Sequence, residues 1–134
     1  MVMMVWMALS EGFGYLSLRL VLHLIQTFGA TEAEAADLAK IAAEAGFDVS
    51  LTFHPGTQCK RTEAYVSYIE AAGRIARESG VRPGRLNVGG GFPGGLAEGA
   101  PELEVYFAAI QAAAIAAFGV DHPALVCEPG RGMI

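Results

Sequence analysis

The stretch Leu86-Asn87-Val88-Gly89-Gly90-Gly91-Phe92-Pro93-Gly94-Gly95 constrains this chain more than any other. A short apolar run ends abruptly in three glycines. Without Cβ atoms, successive backbone N–H groups can converge on one anion, as they do around phosphates. The run also matches G-x-G-x-x-G at Gly89, Gly91 and Gly94, the fingerprint of a dinucleotide fold. That fingerprint must open directly into a helix whose N-terminus faces the pyrophosphate. Here Pro93, Gly94, Gly95 and Gly99 hold the chain in loop until about Pro101. A dinucleotide-binding α/β domain is therefore the second reading of the run, not the first.

The rest of the chain alternates strand and helix. Leu16 to Leu22 alternates apolar and polar residues and reads as a strand. Thr31-Glu32-Ala33-Glu34 is a capping box that opens a helix with Ala35, Leu38, Ile41 and Ala42 on its apolar face, stopped by Gly46. Asp48 to His54 is the second strand, ended by Pro55-Gly56. Thr62 opens a helix whose inner face carries Tyr65, Ile69, Ala72 and Ile75 or Ala76, up to Gly80. Arg85 to Val88 is the third strand. Pro101 suits the first turn of a helix, with Glu102 and Glu104 near its positive end. Val105, Ala108, Ala109, Ala112 and Ile115 or Ala116 follow at helical spacing, and Gly119 stops them. Ala124 to Glu128 is the fourth strand, ended by Pro129-Gly130. Strands joined by helical crossovers predict a parallel sheet in an α/β fold. Residues 1–13 show no clear element, and residues 1–15 are left unassigned.

Composition narrows the function classes. At 134 residues the chain has the size of one domain. Its 53% hydrophobic residues exceed the apolar share of an ordinary soluble domain, and its 17% charged residues fall below the usual charged share. Such a chain buries its elements on two sides or belongs to a larger body. A net charge of −5 with no basic stripe argues against nucleic acid and against an anionic membrane surface. Arg19 and His23 interrupt the apolar stretch from Tyr15 to Phe28, which makes it a poor membrane span. The start lacks the positive region of a signal peptide. Cys59 and Cys127 have neither metal nor redox spacing, so no metal site is expected and a reduced, cytoplasmic compartment is the default.

In parallel α/β folds, sites assemble at the carboxyl ends of strands. Those ends carry His54, then Gly89-Gly90-Gly91, then Glu128 with Arg131. Each has a plainer reading: a hydrogen-bonded core histidine, a flexible turn, and a Glu128–Arg131 ion pair. Thr57 and Gln58 could offer a hydroxyl or an amide to an anion. Glu128 follows an apolar strand, where burial is expected and is costly without a partner. Cys127 alternates away from it and reads as a buried thiol. Taken together, the three ends suit a phosphorylated aromatic ring. One group packs on its face, a carboxylate meets its nitrogen, and glycines with an arginine hold its phosphate. Pyridoxal phosphate fits that description.

Phe53-His54-Pro55-Gly56-Thr57-Gln58, Asn87-Val88-Gly89-Gly90-Gly91-Phe92-Pro93-Gly94 and Cys127-Glu128-Pro129-Gly130-Arg131 resemble the ornithine/diaminopimelate/arginine decarboxylases. These are pyridoxal-phosphate enzymes of the alanine-racemase-like fold, a TIM-type β/α barrel followed by a β domain. The resemblance runs from about Leu16 to the end, and Gly-Gly-Gly-Phe-Pro is closest to the ornithine/lysine branch. It implies a partial β/α barrel over residues 16–134, with about four parallel strands. By this resemblance His54 would stack on the pyridine ring and Glu128 would pair with its nitrogen. The Thr57 hydroxyl, the backbone of Gly89, Gly90, Gly91 and Gly130, and Arg131 would cradle the phosphate. Arg19 would match an arginine behind the site. The implied activity is decarboxylation of a basic amino acid, ornithine to putrescine in polyamine synthesis, by a homodimer.

Three departures stand out. Pro55 replaces a small aliphatic residue and removes an N–H beside the ring. Thr27 stands where a lysine is common. The family's Schiff-base lysine lies on an early strand, whereas this chain has only Lys40, inside a helix, and Lys60, in a loop after His54. The early strands and the β domain are missing too, so the chain reads as an internal fragment with little activity of its own. It could also act as a non-catalytic fragment that pairs with another chain. Added pyridoxal phosphate should give no visible band that borohydride fixes onto the chain. A fixed adduct at Lys40 or Lys60 in an active protein would overturn that expectation.

Overall fold

Four strands and three helices make up the described part of the chain, which in this computed structural model comprises residues 3–8, 29–94 and 99–130. In order they are β1 (Met3–Ala8), α1 (Glu32–Glu44), β2 (Asp48–Phe53), α2 (Thr62–Ser79), β3 (Arg85–Asn87), α3 (Leu103–Phe118) and β4 (Ala124–Val126). The strands lie in one sheet in the order β1-β2-β3-β4. β2, β3 and β4 are parallel and joined through α2 and α3, the crossover arrangement expected of a β/α barrel segment. The strand expected at 16–22, with Arg19, lies outside the described residues.

β1 corrects the reading of residues 1–13. It pairs antiparallel with β2, Met3 opposite Phe53 and Ala8 opposite Asp48. Its sequence is an unbroken apolar run, and periodicity cannot reveal a strand that does not alternate. Antiparallel pairing also needs no crossover helix, so no neighbouring pattern signals it.

Strand alternation separates the two faces of the sheet. Val49, Leu51 and Phe53 of β2 and Leu86 of β3, with Val88 beyond it, are buried in one core with Tyr65, Ile69 and Ile75 of α2 and Tyr106 and Ile110 of α3. Leu51, Leu86 and Leu125 are register partners on this face. Thr52, Asn87 and Val126 form the corresponding row on the opposite face.

The helices follow their local signals at the ends more closely than on their faces. The capping box of α1 is present: the Glu34 N–H donates to Thr31 Oγ1 at 3.3 Å, and the Thr31 N–H donates to Glu34 Oε2 at 2.8 Å. Gly80 ends α2 in the left-handed conformation, at φ +69°. In α1, however, Ala35, Ala36, Ala39 and Ala42 are buried while Ile41 is 62% exposed. The alanine row lets the helix approach closely and turns Ile41 outward. In α3 the buried residues are Tyr106, Ile110, Ala113 and Ala114. The predicted face is not the inner one: Val105, Ala108, Ala112 and Ile115 are exposed. This helix is apolar all round, so spacing alone cannot select the inner face. Pro101 precedes the cap residue Glu102 rather than entering the first turn.

Two contacts tie the helices together. Arg74 of α2 donates from Nε and Nη2 to the two carboxylate oxygens of Glu32 on α1, each at 2.8 Å. Gly73 of α2 faces α3 so closely that a Cβ placed there would lie 3.0 Å from Ala117 Cβ. Gly73→Leu should therefore lower stability by about 1–3 kcal/mol through overpacking, read as a lower urea midpoint. Gly73→Ala gains about 1 kcal/mol of helix propensity against the same contact and should be close to neutral.

The Arg74 hydrogen bond, opposed by partial desolvation and helped by the Arg74 charge, holds the Glu32 carboxyl below its ordinary range. A carboxylate lowered in the folded state contributes stability above its unfolded value, and that contribution is lost as pH falls through the folded value. Arg74→Gln should thus flatten the acid limb of the stability profile and leave its neutral limb little changed in slope.

Candidate functional site

The row Thr52–Asn87–Val126 continues two residues further, beyond the carboxyl ends of the strands, to His54, Gly89 and Glu128. Alternation keeps these positions on the sheet face opposite the core. The three predicted strand ends therefore meet at one place. They border a cleft of about 220 Å³ lined by His54, Thr57, Gln58, Gly91, Glu128 and Gly130, among others.

The glycine run is threaded between two loops. Gly89 and Gly91 have φ of +68° and +81°, a conformation that L side chains rarely adopt. A Cβ would collide with the Phe53 carbonyl at Gly89, the Glu128 carbonyl at Gly90 and the Gly56 carbonyl at Gly91. Each glycine carbonyl is held by a partner. Gly89 O accepts from the Glu128 N–H at 2.8 Å and Gly91 O from the Cys59 N–H at 2.7 Å. Gly90 O accepts from the Tyr65 hydroxyl at 2.9 Å. In a trans peptide the N–H points opposite to the C=O. With Gly90 O turned into the helix layer toward Tyr65, the Gly91 N–H is turned away from that layer, to the side of the cleft.

His54 is exposed, just past the end of β2. Its Nδ1 accepts the Gly56 N–H at 3.1 Å, so its neutral form carries the proton on Nε2. Its ring borders the glycines, since a Cβ on Gly90 would lie 3.7 Å from Nε2 and one on Gly91 3.6 Å from Cε1. Thr57 and Gln58 are exposed on the same loop, and Gln58 has a left-handed φ of +49°.

Glu128 corrects the expectation of burial. It is exposed, and so is Cys127, which was expected to be a buried thiol. β4 is an edge strand of the described sheet and ends at Val126, and no layer among the described residues covers Cys127 and Glu128. The Glu128 carboxylate accepts a 2.6 Å hydrogen bond from Asn87 Nδ2. Arg131 lies outside the described residues, and with it the Glu128–Arg131 pair. α3 begins only at Leu103, so the glycine run does not open into a helix as a dinucleotide site requires. No group of three or more His, Cys, Asp or Glu capable of holding a metal occurs among the described residues. No helix there is long and apolar enough to cross a membrane.

Sequence reasoning missed two residues that hold the site together. Tyr65 was read only as a core residue, yet its hydroxyl fixes the glycine turn. It stacks on Phe92 at 5.1 Å and meets Tyr106 edge-on at 5.6 Å. Burial pushes both phenols above their ordinary range, which keeps them neutral donors. The Tyr106 hydroxyl donates to the Cys59 carbonyl at 2.9 Å. Asn87 has no role that its motif alone assigns. The available signal was a lone amide between Leu86 and Val88, directly before the glycines.

Residues 23–134 match the family described as pyridoxal-dependent decarboxylase, pyridoxal binding domain. Similar solved structures include the arginine decarboxylase of Paramecium bursaria Chlorella virus, at 30% identity and a TM-score of 0.63 over 80% of this chain and 29% of that one. SrLDC in complex with PLP and cadaverine has 36% identity and a TM-score of 0.65 over 81% of this chain and 29% of its own. The diaminopimelate decarboxylase of Helicobacter pylori complexed with L-lysine has 27% identity and a TM-score of 0.62, over 76% and 26%. The chain thus spans less than a third of the length of these proteins. No curated protein sequence matches it.

Tyr65→Phe keeps the ring stack and deletes the hydroxyl above the Gly90 carbonyl. It should cost about 1 kcal/mol or somewhat more, because a buried carbonyl loses its donor. Urea denaturation monitored by far-UV circular dichroism checks this.

Proposed function

The chain belongs to the family of pyridoxal-dependent decarboxylases, within its pyridoxal-binding domain, and we propose that its strand-end cleft is the part of a decarboxylase site that holds pyridoxal phosphate. One observation carries this reading: the glycine turn, whose Gly90 carbonyl is held on the helix side by Tyr65, borders one cleft together with the His54 imidazole and the Glu128 carboxylate. An anion, an aromatic face and a ring nitrogen each find a counterpart there. The glycine positions have no room for a Cβ, as expected where backbone itself does the binding.

The residues divide the work. The N–H groups at Gly90 and Gly91, the Thr57 hydroxyl, the Gly130 backbone and, by the family resemblance, Arg131 would hold the phosphate, whereas the Gly89 N–H expected to join them is given to Asn87 Oδ1. His54 packs against the pyridine face, and its Gly56 hydrogen bond fixes the ring's tautomer. Glu128 would accept a hydrogen bond from the protonated ring nitrogen and so keep that nitrogen charged. When bound, pyridoxal phosphate supplies an electron sink for the loss of a substrate carboxylate as carbon dioxide.

The substrate class is a basic amino acid. Arginine and diaminopimelate decarboxylases and complexes with cadaverine and L-lysine stand among the similar structures. Within that class we favour ornithine, giving putrescine for polyamine synthesis in a cytoplasmic homodimer, because Phe92-Pro93 follows the glycines as in the ornithine/lysine branch. Lys40 lies within α1 and Lys60 in the loop before α2, so neither stands at a strand end. The 134 residues by themselves therefore bind cofactor weakly and do not turn over substrate.

A second reading, a non-catalytic piece completed by another chain, draws on the exposed Val105, Phe107 and Ile115 of α3. A discrete, cofactor-free complex in sedimentation would favour it. For the first reading, equilibrium dialysis should show pyridoxal phosphate binding that His54→Ala weakens about threefold to tenfold, the range of a lost ring stack. Inorganic phosphate binding should stay unchanged. Equal binding of pyridoxal phosphate by wild type and by a His54→Ala/Glu128→Gln double variant would sink the proposal.

A further inference from the structure

We propose that Asn87 is the positioning residue that aims the Glu128 carboxylate and locks it to the glycine turn. The inference rests on the cofactor reading above. Asn87 is the last residue of β3 and lies in register with Thr52 and Val126. Its amide is used at both ends. Nδ2 donates to Glu128 Oε1 at 2.6 Å, and Oδ1 accepts the Gly89 N–H at 2.9 Å. Flipping the amide would set oxygen against carboxylate and NH2 against N–H, so the two bonds fix one orientation. An ionised aspartate has no donor to offer Glu128.

The bridge matters because Glu128 otherwise has little to hold it. It is exposed beyond the end of an edge strand, and its backbone is tied by the N–H bond to Gly89 O. Among the described residues, Asn87 supplies the side-chain hydrogen bond to its carboxylate. That bond occupies one oxygen and leaves the other for the cleft, which Glu128 lines. The same amide caps the turn that presents the phosphate-binding backbone. Asn87 thereby sets the position of the ring-nitrogen partner relative to the phosphate cradle without touching the cofactor.

The test uses two probes on the 134-residue chain, pyridoxal phosphate and its analogue with the ring nitrogen replaced by CH. Wild type should prefer the nitrogen-bearing probe, and Glu128→Gln should abolish the preference. Asn87→Ser keeps a short hydroxyl that can accept the Gly89 N–H but cannot reach Glu128. It should lose the preference by roughly tenfold, the scale of a hydrogen bond to a charged group, while binding the carbocyclic analogue as wild type does. The double variant should lose no more than either single one, because Asn87 acts through Glu128. A purely structural role would weaken both probes alike and would overturn the proposal. So would an Asn87→Ser variant that keeps the preference while Glu128→Gln loses it, an outcome that leaves the cofactor reading standing. If wild type binds neither probe, or both equally, the cofactor reading fails and the Asn87 proposal falls with it.

Discussion

The site depends on a steric constraint before it depends on any charge. Three consecutive backbone units pass between the carbonyls of Phe53, Glu128 and Gly56 with no space for a side chain. Because that passage is so narrow, the loops after β2, β3 and β4 are brought within hydrogen-bonding range of one another. The bonds Glu128 N–H to Gly89 O and Cys59 N–H to Gly91 O are the direct result. His54 and Glu128 converge because they flank this contact. Substituting any of the glycines would part the loops, whatever else was kept.

Two layers of residues with different physical duties surround the turn. On the helix side, Tyr65, Phe92 and Tyr106 form a buried aromatic cluster whose hydroxyls reach the Gly90 and Cys59 carbonyls. On the cleft side stand His54, Thr57 and Glu128, all exposed. The first group fixes geometry by packing and satisfied buried carbonyls. The second is free to meet a ligand. Asn87 belongs to both, since one amide faces the turn and the carboxylate together.

Local signals in the sequence carried far. The capping box at Thr31, the stop at Gly80 and the strands ending near His54, Gly89 and Glu128 depend on short-range chemistry and stand where residue types place them. What was illegible needed tertiary information. β1 is an apolar run without a period, and its partners are forty or more residues away. The inner face of α3 could not be picked from a helix apolar all round, and the choice fell to Tyr106, which finds a carbonyl on a distant loop. Burial of Glu128 and Cys127 was misread because alternation says which side a residue takes, not whether a layer lies there. Tyr65 and Asn87 were hidden because their partners are 25 and 41 residues away in the chain.

One further consequence follows from where Tyr65 sits. It occupies the fourth position of α2, whose cap residue Arg61 offers no side-chain hydrogen bond to the helix start. Helix ends fray, and an uncapped end frays more readily. The hydroxyl that holds Gly90 is thus carried by the least secured turn of its helix. Unwinding of that turn and release of the glycine loop are one local opening event with one free energy.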